Sequence, residues 1–158
     1  MKKRLSASRL NDFLGCAHHA ALWLDGVQEP EDDNASLELV RQKGFEHEAI
    51  ALKRLEALYG PATQISTSGT LESRVSETLV AISDGAALIY QGAFASARWV
   101  GFPDFLIRTG QAGSIWLYEP EDAKLAHKAK AEHLLQLGIY AALLNEAADA
   151  PIAKGAIH

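Results

Sequence analysis

Cysteine is almost absent from this chain of 158 residues, and long hydrophobic runs are missing as well. The single cysteine, Cys16, excludes a disulfide within the chain and indicates a reducing compartment. We expect it to lie in the first helix as a buried or half-buried small hydrophobe. No apolar run is long enough to cross a bilayer, and the basic start at residues 1–4 is not followed by a secretory apolar segment. We therefore expect a cytoplasmic protein without a membrane partner.

Several catalytic signatures are missing too. The sequence has no Gly-x-Ser-x-Gly motif, which argues against a hydrolase with a serine nucleophile. Phosphate-loop and dinucleotide-binding fingerprints are absent, so nucleotide-driven chemistry is not indicated. His18, His19, His127 and His133 show no recognisable zinc-ligand spacing with cysteine.

Length and composition are those of an ordinary globular domain. We expect one domain over residues 1–158, large enough to bury a core without disulfides or a structural metal. Hydrophobic residues make up 48% and charged residues 22%, which is typical of a folded chain. The net charge of -5 argues mildly against unspecific nucleic-acid binding, but it does not exclude a nuclease, because metal-binding carboxylates add negative charge.

Apolar and β-branched residues recur in patterns that predict alternating helices and strands. A first helix is expected to begin at a cap formed by Ser6 or Ser8 and to run to Leu24. Further helices are expected over residues 35–59, 71–82 and 130–147. Strands are expected over residues 63–68, 87–94, 98–108, 114–118 and 152–157. A turn rich in Gly and Gln at residues 109–113 predicts that two of these strands form a hairpin.

Two carboxylates lie on this predicted hairpin. Asp104 follows Pro103 at one strand, and Asp122 follows the next strand with Lys124 two residues further on. Side chains alternate along a strand, so Asp122 and Lys124 are expected on the same face. Pro103 has no amide hydrogen and fits an edge or a bulge, and bulges often lie beside active sites. Such a group can hold a divalent cation and an activated water.

Two helical pairs are further candidates for this site. Gly44 and His47 share a face of the second helix, and a neutral imidazole is a common ligand of divalent cations. The alternative is a surface histidine between two glutamates. Gln136 and Tyr140 share a face of the last long helix, and the alternative there is a pair of polar interruptions in a core helix.

A basic run over residues 124–130 follows the hairpin directly. It contains Lys128 and Lys130, which we expect to lie along the path of a substrate that carries phosphates. The alternative is the solvated start of a helix.

These motifs occur in an order that resembles a known family. The order Gly44-x-x-His47, Pro103-Asp104, Asp122-x-Lys124 and Gln136-x-x-x-Tyr140 resembles the RecB-like branch of the PD-(D/E)xK nucleases. The segments 4–16, 118–126 and 131–137 are similar to that family as well, so the resemblance covers nearly the whole chain. Each motif is short, and their combined order is the specific signal.

The resemblance implies an α/β fold of the restriction-endonuclease-like kind, with a mixed central β-sheet flanked by helices. It also implies a divalent-metal-dependent DNA nuclease with Asp104, Asp122 and Lys124 as catalytic residues. Asp104 and Asp122 would ligate Mg²⁺ or Mn²⁺, with His47 and the carbonyl of Ala123 as further ligands. Lys124 would orient or help activate the attacking water and stabilise charge on the phosphate.

The resemblance also carries expectations about substrate and partners. Lys128, Lys130, Gln136 and Tyr140 would contact DNA, and the helix motif goes with processing of single-stranded ends, so the implied activity is exonuclease-like or end-trimming. The related nucleases of CRISPR adaptation hold an iron–sulfur cluster with four cysteines. Because Cys16 is alone, we expect no such cluster here.

Two alternatives stay open at the level of sequence. Similar nuclease domains stand at the front of longer proteins with helicase or further nuclease-like parts, so this chain is an excised domain, a truncated gene product or a free-standing version. The rival interpretation of the whole pattern is a nuclease fold without activity that serves in nucleic-acid binding or assembly.

Overall fold

The computed structural model describes residues 4–28, 35–123, 131–148 and 156–157 of the chain. The helices of these ranges are α1 (Ala7–Gly15), α2 (Ala17–Leu24), α3 (Ala35–Tyr59), α4 (Leu71–Ser83) and α5 (Ala131–Ala148). The strands are β1 (Leu5–Ser6), β2 (Thr63–Gln64), β3 (Leu88–Tyr90), β4 (Phe94–Ala95), β5 (Trp99–Gly101), β6 (Phe105–Ala112), β7 (Ile115–Asp122) and β8 (Ala156–Ile157). The fold is mixed α/β, as predicted.

The larger sheet has the strand order β2-β3-β6-β7-β8. Its centre is antiparallel, since β6 pairs with both β3 and β7, whereas β2 and β8 are parallel to their neighbours. The β6–β7 turn lies at Gly113, which has a φ of 63°, and not over residues 109–113 as predicted. Residues 109–112 continue β6 instead, and a bulge between Arg108 and Gly110 accommodates the glycine that suggested an earlier turn.

Two of the predicted strands are each split between the larger sheet and a smaller sheet with the order β1-β5-β4. The predicted strand over residues 87–94 is interrupted at Gln91, whose φ of 58° is left-handed, and its two parts belong to different sheets. The predicted strand over residues 98–108 is interrupted at residues 102–104. Pro103 lies in this gap, where it has no amide hydrogen to give to a ladder.

The predicted first helix is two helices that meet at Cys16. This residue is extended, with φ -159° and ψ 104°, and its amide donates to the carbonyl of Asp12 at 2.7 Å. The Cys16 side chain is exposed, which corrects the expectation of a buried or half-buried hydrophobe. The reason is its position between the two helices, where the extended backbone interrupts the expected helical face. Ser6 caps α1 by accepting the amide hydrogen of Arg9.

Helices cover both faces of the larger sheet. On one face, Ala51 and Leu55 of α3 pack against Phe105 and Ile107 of β6. On the other face, α4 and α5 pack against a group that includes Leu106. Successive residues of β6 thus point alternately to α3 and to the α4–α5 side. Within the described ranges, no helix is both long and apolar enough to cross a membrane.

Thr78 ties α4 to the loop that leads into β4. Its side chain is fully buried, and its hydroxyl donates to the carbonyl of Arg74 at 2.8 Å and accepts from the amide of Ala93 at 3.0 Å. We expect Thr78→Val to lower the free energy of unfolding by ~1–3 kcal/mol, because the Ala93 amide would be buried without a partner. Urea denaturation followed by circular dichroism measures this. Thr78→Ser keeps the hydroxyl and is the control; a larger loss in the serine variant would contradict the assignment.

Candidate active site

The two predicted carboxylates meet at the open end of the β6–β7 hairpin. Asp104 immediately precedes β6, and Asp122 is the last residue of β7. Phe105 pairs with Glu121, so one further step along the antiparallel ladder puts Asp104 opposite Asp122. Residues opposite each other in such a ladder point to the same face, with Cβ atoms about 4.5–5.5 Å apart. Strand register therefore places the two carboxyl groups side by side.

The environment of this pair favours retention of a proton. Asp122 is only 2% exposed, and Asp104 is half-buried. Loss of hydration, followed by the negative charge of Asp122 and a hydrogen bond between the two carboxyl groups, raises the pKa of Asp104 to about 8. The amide of Ala123 donates to Asp104 Oδ2 at 2.8 Å and acts in the opposite direction. When both carboxyl groups are ionised, a bound cation is needed to offset their two negative charges.

Gln136 and Tyr140 of α5 join the carboxylates. Tyr140 is buried, and its phenol oxygen accepts from the side-chain amide of Gln136 at 2.7 Å. Burial, followed by the negative charge of Asp122, raises the pKa of Tyr140. The phenol therefore keeps its proton, and that proton is the group it has left to donate.

Gly101 allows α5 to approach this closely. A Cβ atom at Gly101 would lie 2.8 Å from Cδ1 of Leu143 and 2.9 Å from Cδ1 of Tyr140. Both distances are shorter than carbon atoms tolerate, so any side chain at this position would push the Tyr140 ring or its helix outward. The absence of a side chain at Gly101 therefore allows the phenol of Tyr140 to lie where it does.

A third acid, Glu48 of α3, borders the site. Its carboxylate accepts from the side-chain amide of Gln91 at 3.2 Å, and the same amide donates to the phenol of Tyr90 at 3.2 Å. Burial, followed by the nearby Glu48 carboxylate, raises the pKa of Tyr90, and the charge of Glu48 also contributes to the raised pKa of Asp104. Glu48 was not predicted from the sequence, although it lies four residues after Gly44 and so shares its helical face.

Gln91 links the third acid to the hairpin. Its backbone amide donates to the carbonyl of Asp104 at 2.7 Å, while its side chain contacts Glu48. A left-handed conformation costs a non-glycine residue roughly 1–2 kcal/mol, and these hydrogen bonds hold it there. The sequence carried no signal for this residue, which lay inside a predicted strand.

His47 has one property expected of a ligand. Its side chain is half-buried, and Nε2 is buried with no hydrogen-bond partner in the part of the chain that the structure describes. It is next to Glu48 in α3. Glu48 in turn contacts Gln91, whose backbone amide donates to the carbonyl of Asp104. Among the described residues, no group of three or more His, Cys, Asp or Glu side chains is arranged to hold a metal ion.

The predicted residues thus fall into three groups, namely those at the end of the hairpin, His47 on α3, and those outside the described residues. The structure brings together Asp104, Asp122, Ala123, Gln136 and Tyr140. It places the backbone amide of Ala123, and not its carbonyl, in contact with Asp104. Lys124, Lys128 and Lys130 lie outside the described residues.

No family model matches the sequence, and no curated protein matches it either. The function is therefore inferred from the geometry of the site and from its chemistry.

Proposed function

We propose that this chain is a divalent-metal-dependent DNA nuclease of the RecB-like PD-(D/E)xK type, with a restriction-endonuclease-like sheet. The reaction is hydrolysis of phosphodiester bonds, exonuclease-like or end-trimming on single strands. The observation that carries the proposal is the juxtaposition of Asp104 and Asp122 at the end of the hairpin, where burial and the negative charge of Asp122 raise the pKa of Asp104. The flanking of the sheet by α3 on one face and by α4 and α5 on the other supports the proposed fold type.

The residues at this place fit a hard cation. Mg²⁺ and Mn²⁺ prefer carboxylate oxygens, which Asp104 and Asp122 would supply. His47, with its buried Nε2, and the carbonyl of Ala123 are the further proposed ligands. Such an ion, when bound, supplies a more acidic water and neutralises charge on the phosphate. The amide of Ala123 fixes one oxygen of Asp104 and thereby orients that carboxylate.

The other proposed roles concern the substrate. Lys124 would orient the attacking water, because it follows Asp122 by two residues. Tyr140 and Gln136 form a hydrogen-bonded pair beside the carboxylates, where a phenol proton is available to a phosphate or sugar oxygen. Lys128 and Lys130 would contact the phosphates further along the strand. Phosphoryl transfer needs mainly placement and charge neutralisation, and these groups supply both.

Cleavage of labelled DNA tests the proposal. The purified chain is incubated with linear single-stranded DNA, duplex DNA, RNA and a closed single-stranded DNA circle, with Mg²⁺, Mn²⁺ or EDTA. We expect metal-dependent release of nucleotides from the linear single strand, and we expect the circle to resist because it has no end. Binding of DNA without cleavage under every metal condition would instead identify an inactive nuclease fold, and the proposal would be wrong.

A further inference from the structure

Phe102 is an exposed aromatic residue at the edge of the candidate active site. It lies directly before Pro103 and Asp104, and 39% of its surface is exposed. Its neighbours Gly101 and Pro103 are both buried, so the chain at this point holds the Phe102 ring outward. Other large hydrophobic residues of the described chain are exposed as well, and Phe102 differs from them in its place two residues before Asp104.

An arginine lies against this ring. The guanidinium carbon of Arg74 is 4.9 Å from the ring centroid of Phe102. One terminal nitrogen of Arg74 donates to the carbonyl of Gln91 at 3.5 Å, and Nε is buried without a hydrogen-bond partner in the described chain. An exposed cation–π contact contributes only about 0.5–1 kcal/mol, so stability is a weak reason for this arrangement. Because Nε is buried, the terminal nitrogens of Arg74 are the donors that could bind an anion.

Two connections tie this pair to the carboxylates. Gly101, which directly precedes Phe102, lies against the ring of Tyr140. Arg74 contacts Gln91, whose amide in turn donates to the carbonyl of Asp104. Phe102 is two residues from Asp104, a Cα separation of at most about 7 Å. A group bound on the ring would therefore neighbour the carboxylates.

We infer that Phe102 and Arg74 form a nucleotide platform for an unpaired base of single-stranded DNA. The base stacks on the exposed part of the Phe102 ring, and the guanidinium of Arg74 binds an adjacent phosphate. Within a duplex both faces of a base are already stacked on its neighbours, so a flat aromatic surface accepts unpaired nucleotides instead. This inference rests on the proposed nuclease function, and it names the substrate that the site selects.

Binding to a strand with and without bases tests the platform. Fluorescence anisotropy is measured in EDTA, where no cleavage occurs, with oligothymidylate and with an abasic strand of the same length and charge. We expect the wild-type protein to prefer oligothymidylate. Phe102→Leu, which keeps an apolar side chain, should weaken that binding about 5- to 100-fold and leave the abasic strand unaffected. Phe102→Trp should restore the preference, which a merely structural role would not predict. Arg74→Gln should lower the salt slope by about 0.7 with both strands, the value for one phosphate contact on a single strand.

A second Arg–aromatic pair provides the matched control. Arg108 lies over the ring of Trp116 with its guanidinium carbon 4.6 Å from the ring centroid. Trp116 lies six residues before Asp122 along β7, about 20 Å away. Trp116→Leu should therefore leave the preference for bases unchanged, with folding of every variant checked by circular dichroism.

The outcomes separate this inference from the proposed function. If the wild-type protein cleaves single strands but Phe102→Leu leaves the base preference intact, the platform is wrong and the nuclease proposal stands. If base preference depends on Phe102 but no metal supports cleavage, the platform stands and the nuclease proposal is wrong. Equal binding of the two strands by the wild-type protein, including no measurable binding, would overturn the platform.

Discussion

Asp104→Asn and Asp122→Asn are each expected to lower metal-dependent cleavage of DNA by about a hundred- to a thousandfold while the protein stays folded. Each change removes a negative charge and hardly alters volume. Asparagine at position 104 still has an oxygen that can accept from the amide of Ala123, so local geometry is kept. Single-turnover cleavage of a labelled single strand in Mg²⁺ measures the loss, and circular dichroism confirms folding.

Glu119→Gln provides the matched control for these variants. Glu119 lies on the same strand as Asp122, but it is three residues away and so points to the opposite face of the sheet. We expect its cleavage rate to remain that of the wild-type protein. Rates that are unchanged in the two Asp variants would mean that the activity comes from a different place or from a contaminant.

The hairpin carboxylates could be predicted from sequence because local rules determine them. Two strands joined by a tight turn must be antiparallel, and the register that follows from the turn sets which residues oppose each other. The predicted turn over residues 109–113 was wrong, yet Asp104 and Asp122 still lie at the open end. Their position depends on the lengths of β6 and β7, which are both eight residues, more than on the site of the turn.

The contacts between distant segments could not be predicted. Glu48 meets Gln91 across 43 residues of sequence, and no periodicity within α3 or β3 specifies that approach. The left-handed backbone of Gln91 is similarly invisible, because glycine and asparagine are the usual residues there. Cys16 was predicted to lie inside one helix because two short helices joined by a corner give the same continuous apolar pattern as a single helix.

The pH dependence of the free energy of unfolding should reveal the raised pKa of Asp104. In the metal-free protein, Asp104 has a pKa of about 8 against an ordinary value of 3.8. Between these values the folded protein retains a proton that the unfolded chain has released, so a rise in pH favours unfolding. We expect the free energy of unfolding in EDTA to fall across this range and to level off above it. Urea denaturation at a series of pH values measures the slope.

Asp104→Asn should remove most of this slope, because asparagine does not titrate. The variant should then be more stable than the wild-type protein near pH 8 in EDTA, by on the order of a few kcal/mol. Glu119→Gln should keep the wild-type slope, and equal slopes in wild type and Asp104→Asn would contradict the assignment of the raised pKa. Excess Mg²⁺ should reduce the wild-type slope, because a bound cation takes the place of the proton. A variant that is more stable and yet inactive would show that the two acids are kept adjacent for function, since adjacency destabilises the metal-free fold.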